Sequence, residues 1–142
     1  MRNSGKFTLI ILLAGAIFSA LISIYAFDFD VSEGLGAEIV MFILMQAFVL
    51  LPYTLLYLLW WRTFQKKATW GHRTVLVFTT IIVALFHIYT YIDALFISSS
   101  STAGLVFFFV PFYSIAGILV AYYFFSWILD KRFPHKVVSE KQ

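Results

Sequence analysis

The stretch TVLVFTTIIVALFHIYTYIDALFI, Thr74 to Ile97, decides the fold. It is apolar over the length of a membrane crossing, yet it carries His87, Tyr89, Thr90, Tyr91 and Asp93 inside it or at its end. A hydrocarbon core of ~30 Å takes about 20 helical residues to cross, so the run predicts one spanning helix. At ~100° per residue, Thr80, Val83, Ala84, His87, Thr90, Tyr91 and Ala94 share one side. Phe78, Ile81, Leu85, Ile88, Ile92 and Phe96 share the other. An unpaired polar group in hydrocarbon is costly, so the bulky side is predicted to meet lipid and His87 to point inward.

The rest of the chain repeats that hydrophobic length. Of its 142 residues 62% are hydrophobic and 12% charged, against about a quarter charged in soluble domains. Four runs are long enough to span: Phe7–Phe27, Ala37–Trp61, Thr74–Ile97 and Thr102–Leu129. They lack the dyad alternation of barrel strands. The expected fold is therefore all-α, a four-helix transmembrane bundle forming a single domain over residues 1–142, with a polar tail from Asp130 to Gln142. Arg2 and Lys6 before the first run also resemble the start of a signal peptide, but the run continues to Phe27 and Phe18 occupies a position where cleavage prefers a small residue. An uncleaved first span is expected.

Charge placement supplies orientation. Arg2 and Lys6 precede the first run, Arg62, Lys66, Lys67 and Arg73 lie between the second and third, and Lys131, Arg132, Lys136 and Lys141 follow the fourth. The loops Asp28–Glu38 and Ser98–Thr102 carry no Lys or Arg. Basic residues stay on the cytoplasmic side, so both termini are expected there, in a bacterial inner membrane. Asp28, Asp30, Glu33 and Glu38 then form an external acidic turn. Ser98–Thr102 is read as an uncharged cap for the fourth helix, and the basic segment Arg62–Arg73 as a topology determinant rather than a lipid site.

Small residues mark two seams. Gly15, Ser19 and Ser23 lie four apart on the first span, and Gly117 and Ala121 lie four apart on the fourth, on a face shared with Phe107, Ser114 and Phe125. Such spacing allows close backbone approach between helices. Gln46, Tyr53 and Tyr57 form a stripe on the second span, which Pro52 is expected to kink. Counting ~1.5 Å per residue from the outer ends puts Ser19, Gln46, His87, Tyr113 and Ser114 at neighbouring depths, a polar layer in the outer half. Asp93 lies nearer the outer end and about 120° round the helix from His87, which disfavours a pair along this helix.

Several classes fall away. The chain has no cysteine, which removes disulfides, thiolate catalysis and thiolate metal sites. Phosphate loops, HExxH, GxSxG and metal-spaced clusters are absent, so no metal or cofactor is implied. The pI near 9.2 reflects topology charges, not a nucleic-acid surface. An intramembrane histidine is costly and so a functional candidate, yet a neutral one bonded to Gln46 or Tyr53 is equally a helix-register device.

The four-span layout resembles small multidrug transporters, although the first span has no acidic residue where they bury one, and membrane immunity proteins of membrane-acting toxins. Both likenesses are architectural. The reading that follows is a non-enzymatic protein that binds lipid around it and another membrane-active protein, such as a toxin, as an immunity or accessory factor. The alternative is a subunit of an oligomeric channel, or a small-solute or proton-coupled transporter, built on the layer around His87. A homo-oligomer fits either reading.

Orientation is directly testable because the chain is cysteine-free. Single Ser32→Cys and Ser100→Cys variants are expected to react with an impermeant maleimide in intact cells. Labelling only after permeabilisation reverses the orientation.

Overall fold

The computed structural model describes residues 2–27, 35–65, 69–97 and 105–132. Among them no strand occurs, and the elements are α1 (Arg2–Ala26), α2 (Leu35–Gln65), α3 (Trp70–Ile92), α4 (Val106–Val120) and α5 (Ser126–Arg132). A π-helical turn, Asp93–Ile97, continues α3, and a second, Ala121–Phe125, joins α4 to α5. Four stretches, Gly5–Ala26, Gly36–Phe64, Gly71–Phe96 and Val106–Arg132, are long and apolar enough to cross a membrane. The chain is an all-helical integral membrane protein.

α1 packs on α2 and α3, α4 packs on the same two helices from the other side, and α2 and α3 meet along the middle. The outer surface is covered by Ile10, Ile17, Leu21, Ile43, Leu58, Phe78, Ile82, Leu85 and Phe96, each about half exposed or more. Water would not tolerate so continuous an apolar exterior, whereas acyl chains do. On α3, Thr80, Val83, Ala84, His87, Tyr91 and Ala94 are buried while Phe78, Leu85, Ile92 and Phe96 are exposed, the division that its 3.6-residue period dictates.

The interior has two apolar clusters. Leu12, Leu56, Leu59, Leu76, Val83, Ile118 and Tyr122 form one; Met45, Val49, Tyr91, Phe107 and Val110 form the other. Pro52 and Pro111 are both buried, and α2 and α4 run on through them. The turn of each helix that lies between the two clusters carries the polar side chains described below.

Helix ends differ from the sequence expectation, for local reasons. α3 begins at Trp70, not Thr74, because Thr69 is its N-cap, accepting a hydrogen bond from the His72 N–H at 3.5 Å. α2 extends to Gln65. Much of the supposed basic loop Arg62–Arg73 is therefore helix, and Lys66 and Lys67 lie outside the described residues. Glu38 stands in the first turn of α2, where the helix dipole favours an acid; Asp28, Asp30, Glu33 and Ser98–Thr102 lie outside the described residues. The supposed tail begins later, since Asp130, Lys131 and Arg132 end α5.

Close approach is concentrated at Gly15. A Cβ there would stand 2.8 Å from Tyr53 Cε1 and 3.2 Å from the Ala84 Cβ, on two different helices. Gly15→Val is expected to destabilise the bundle by ~1–3 kcal/mol through overpacking. Gly36→Val, with nothing within 4 Å of its Cβ position, is the matched control. Thermal unfolding in detergent measures both, and equal midpoints for the two variants refute the assigned contact.

Candidate functional site

Hydroxyl groups inside a membrane helix have two outlets. Thr54, Thr80 and Thr90 use the first, donating to the carbonyls of Leu50, Leu76 and Phe86 one turn back. Ser19 and Ser23 of α1 and Ser114 of α4 use the second and bond across helices. Ser19 Oγ on α1 and Tyr53 Oη on α2 are 3.0 Å apart. Gln46 Nε2 on α2 donates to Ser23 Oγ at 2.8 Å, and Ser23 donates in turn to the Ala20 carbonyl at 2.9 Å. His87 Nε2 on α3 and Ser114 Oγ on α4 are 2.7 Å apart.

Aromatic edges join these pairs into one belt. The Tyr53 ring meets the His87 ring at 5.2 Å and 88°, an edge-to-face contact. Tyr91, one turn beyond His87, lies 5.2 Å from it and stacks on Phe107 of α4 at 4.7 Å. The sequence Ser19, Tyr53, His87, Ser114 thus crosses all four spanning helices. His87 and Tyr91 are 0% exposed.

Of the residues singled out by sequence, the structure brings Ser19, Tyr53, His87, Tyr91 and Ser114 together, with Gln46 on Ser23 beside them. Asp93 is half-buried and opens the π turn, its N–H reaching the Tyr89 and Thr90 carbonyls. Tyr57 keeps the angular position of the stripe but not its burial: it is 40% exposed and stacks on Trp60. Gly15, Ser19 and Ser23 are buried against α2 and α3. Gly117 is exposed with nothing within 4 Å of its Cβ position, and the buried stripe of α4 runs through Ser114, Ile118 and Tyr122 instead. Gly117, Ala121 and Ser114 line an outward groove of about 270 Å³ with Thr79, Val83 and Phe86.

The belt's chemistry is limited by what surrounds it. Among the described residues no group of three or more His, Asp or Glu can hold a metal. The Ser114–His87 pair has the separation of a nucleophile and its base, but such a base needs a third group to fix its tautomer. Among the described residues neither His87 Nδ1 nor the Tyr91 hydroxyl, both buried, has a hydrogen-bond partner. Interior helix N–H groups are already committed to the backbone ladder, so they offer no oxyanion hole.

A second polar cluster, at the end where α3 begins, escaped the sequence reading. Asp130 of α5 accepts from the Thr69 hydroxyl at 2.6 Å and the Gly71 N–H at 3.2 Å, and lies 3.3 Å from His72 Nδ1. It caps α3 from another helix. His72 packs edge-on against Tyr122 at 5.1 Å, and Tyr122 Oη is 2.8 Å from Thr63 Oγ1. Gly71 is required here, since a Cβ would fall on Asp130 Oδ1 and 3.0 Å from the Ser126 carbonyl. Thr69 ahead of an apolar run is a legible N-cap signal; its carboxylate partner, 61 residues away, is not.

No protein-family model, curated protein or solved structure matches the chain.

His87→Leu is expected to cost under ~1 kcal/mol, because Ser114 can fall back on a carbonyl of its own helix and interhelical bonds in membranes are weak. His87→Ala, which leaves a void between Tyr53 and Tyr91, is expected to cost about 2 kcal/mol or more. Thermal unfolding in detergent ranks the two, and a larger loss for leucine than for alanine contradicts the packing role. A fluorophosphonate probe is expected to leave the wild type unlabelled. Labelling that vanishes in Ser114→Ala assigns the pair to acyl transfer.

Proposed function

We propose that this chain is a non-enzymatic membrane protein that works by binding another membrane-active protein, as an immunity or accessory factor does. The observation that carries the reading is the unequal fate of the two small-residue seams. Gly15, Ser19 and Ser23 are used up inside the bundle, whereas Gly117 is exposed beside Ala121, with no described atom within 4 Å of its Cβ position. Between helices in a membrane, association rests on close backbone contact, since lipid tails are as apolar as leucine. An open glycine surface on α4 is what a partner helix needs.

The polar belt supports the same reading. Its groups bond one another across the bundle rather than lining a continuous path, and apolar clusters lie on both sides of it. A second reading, a channel or proton-coupled transporter, is favoured by the unpartnered His87 Nδ1 and Tyr91 hydroxyl, because buried polar groups without partners call for an explanation.

The proposed setting is a bacterial inner membrane with both termini in the cytoplasm. Gly5 meets Phe64 and Gly71 meets Asp130, so Lys6, Arg62, Arg73, Lys131 and Arg132 gather at one end of the bundle. The excess of Lys and Arg on the cytoplasmic side supports that orientation.

Ser19→Leu is expected to destabilise the fold by ~1–3 kcal/mol. Gly117→Leu is expected to leave the unfolding midpoint unchanged and to abolish partner binding. Site-specific crosslinking from Gly117→Cys identifies what sits on α4, a second copy or another protein. If Gly117→Leu remains fully active, or purified wild type alone carries ions or solutes across liposomes, the transport reading replaces this one.

A further inference from the structure

We infer that Arg73 binds the phosphate of an anionic ligand at the basic end of the bundle, supplied either by a lipid headgroup or by a soluble phosphate. This is independent of the binding reading above.

Arg73 stands in the first turn of α3, next to the positive end of the helix dipole, where a cation is disfavoured unless an anion lies close. The carboxylate at this end of α3 is already engaged: Asp130 accepts from Thr69 and Gly71 and lies 3.3 Å from His72 Nδ1. Among the described residues no carboxylate pairs with Arg73. Its Nε is buried and has no hydrogen-bond partner among the described residues. An arginine so placed keeps one N–H donor unspent among the described residues.

Its surroundings fix the guanidinium rather than satisfy it. Cζ lies 5.8 Å from the centre of the Phe64 ring, so an aromatic face holds the group while donating nothing to its N–H atoms. The same ring lies against α1, where a Cβ on Gly5 would be 3.0 Å from Phe64 Cδ1. Trp60 Nε1 donates to the Gly5 carbonyl at 2.9 Å, and Tyr57 stacks on Trp60. Lys6, the next residue, is exposed. The corner of α1, α2 and α3 therefore combines a fixed guanidinium, a nearby lysine and indole and phenol rings of the kind that settle at headgroup depth. Guanidinium presents a planar fork that matches phosphate bidentately, which an ammonium does not.

The test uses full-length protein in neutral detergent, titrated with short-chain phosphatidylglycerol, phosphatidylcholine or inorganic phosphate, with thermal protection as the readout. Phosphatidylglycerol is expected to protect the wild type and phosphatidylcholine is not. Arg73→Gln is expected to weaken apparent affinity about tenfold or more, and Arg73→Lys to fall between. The double variant Lys131→Gln/Arg132→Gln, which removes two charges from the same end, is expected to bind within about twofold of wild type. Protection by inorganic phosphate that Arg73→Gln abolishes supports the site and makes the ligand soluble; protection by the lipid alone makes it a headgroup. Wild-type affinity in Arg73→Gln, equal protection by phosphatidylcholine, or an equal loss in the double variant overturns the proposal. Should Arg73→Gln fail to fold, Arg73→Lys decides: it keeps the charge and loses the fork, so unchanged affinity there overturns it too.

Discussion

The Tyr53 side chain fills the space that any side chain at position 15 would need, and the bundle is arranged round that fact. Its ring lies against Gly15, its hydroxyl bonds Ser19 at 3.0 Å, and its edge meets His87. Those three contacts set the height of α1 against α2 and of α2 against α3. His87 then fixes α4 through Ser114 at 2.7 Å. Each bond is weak, since interhelical hydrogen bonds in membranes contribute about 0.6 kcal/mol on average. Their effect is one of selection. Apolar helices in lipid have many packings of similar energy, and a few directional bonds in series choose one register among them.

At the other end of α3 the same helix is held by charge. Four free N–H groups begin every helix, and here Asp130 meets one of them and the capping Thr69. The π turn Ala121–Phe125 precedes α5, and its extra residue alters the phase with which Tyr122, Ser126 and Asp130 face α3. Tyr122 and Ser126 are both buried, and Tyr122 joins Thr63 of α2 to the ring of His72. α3 is thus clamped at its middle by neutral hydrogen bonds and at its start by a carboxylate.

How much of this was legible follows from what hydrophobicity can encode. The four spans are visible because bilayer thickness sets a length. The inward face of α3 is visible because His87, Thr80 and Tyr91 mark it with polarity. The seam at Gly15, Ser19 and Ser23 is visible from spacing, and so is the common depth of Ser19, His87 and Ser114. The faces of α4 are not visible, because lipid is as apolar as a protein core. Nothing in its composition says whether Ile118 or Gly117 faces inward, and the structure chooses Ile118. The exposure of Tyr57 is not visible from its place on the stripe, because an aromatic hydroxyl near the end of a span is also at home in the interface. The Asp130 cap was out of reach because it depends on how α3 and α5 pack.

Register alone would be served by one nitrogen of His87. A leucine at position 87 with a serine at 114 bonded to its own helix would fill similar space at little cost, as the self-satisfied hydroxyls of Thr80 and Thr90 illustrate. What distinguishes the actual belt is the remainder: His87 Nδ1 and the Tyr91 hydroxyl, both buried, on successive turns of one helix face, and both without partners among the described residues. A buried polar atom left unpaired costs about 1–3 kcal/mol, more than the belt's cross-helix bonds contribute one by one. Packing therefore accounts for where His87 points and for what Nε2 does, but the cost at Nδ1 and Tyr91 lies on the opposite side of the balance from stability. That asymmetry favours the transport reading beside the binding one, and it locates the difference between them on two neighbouring rings, His87 and Tyr91.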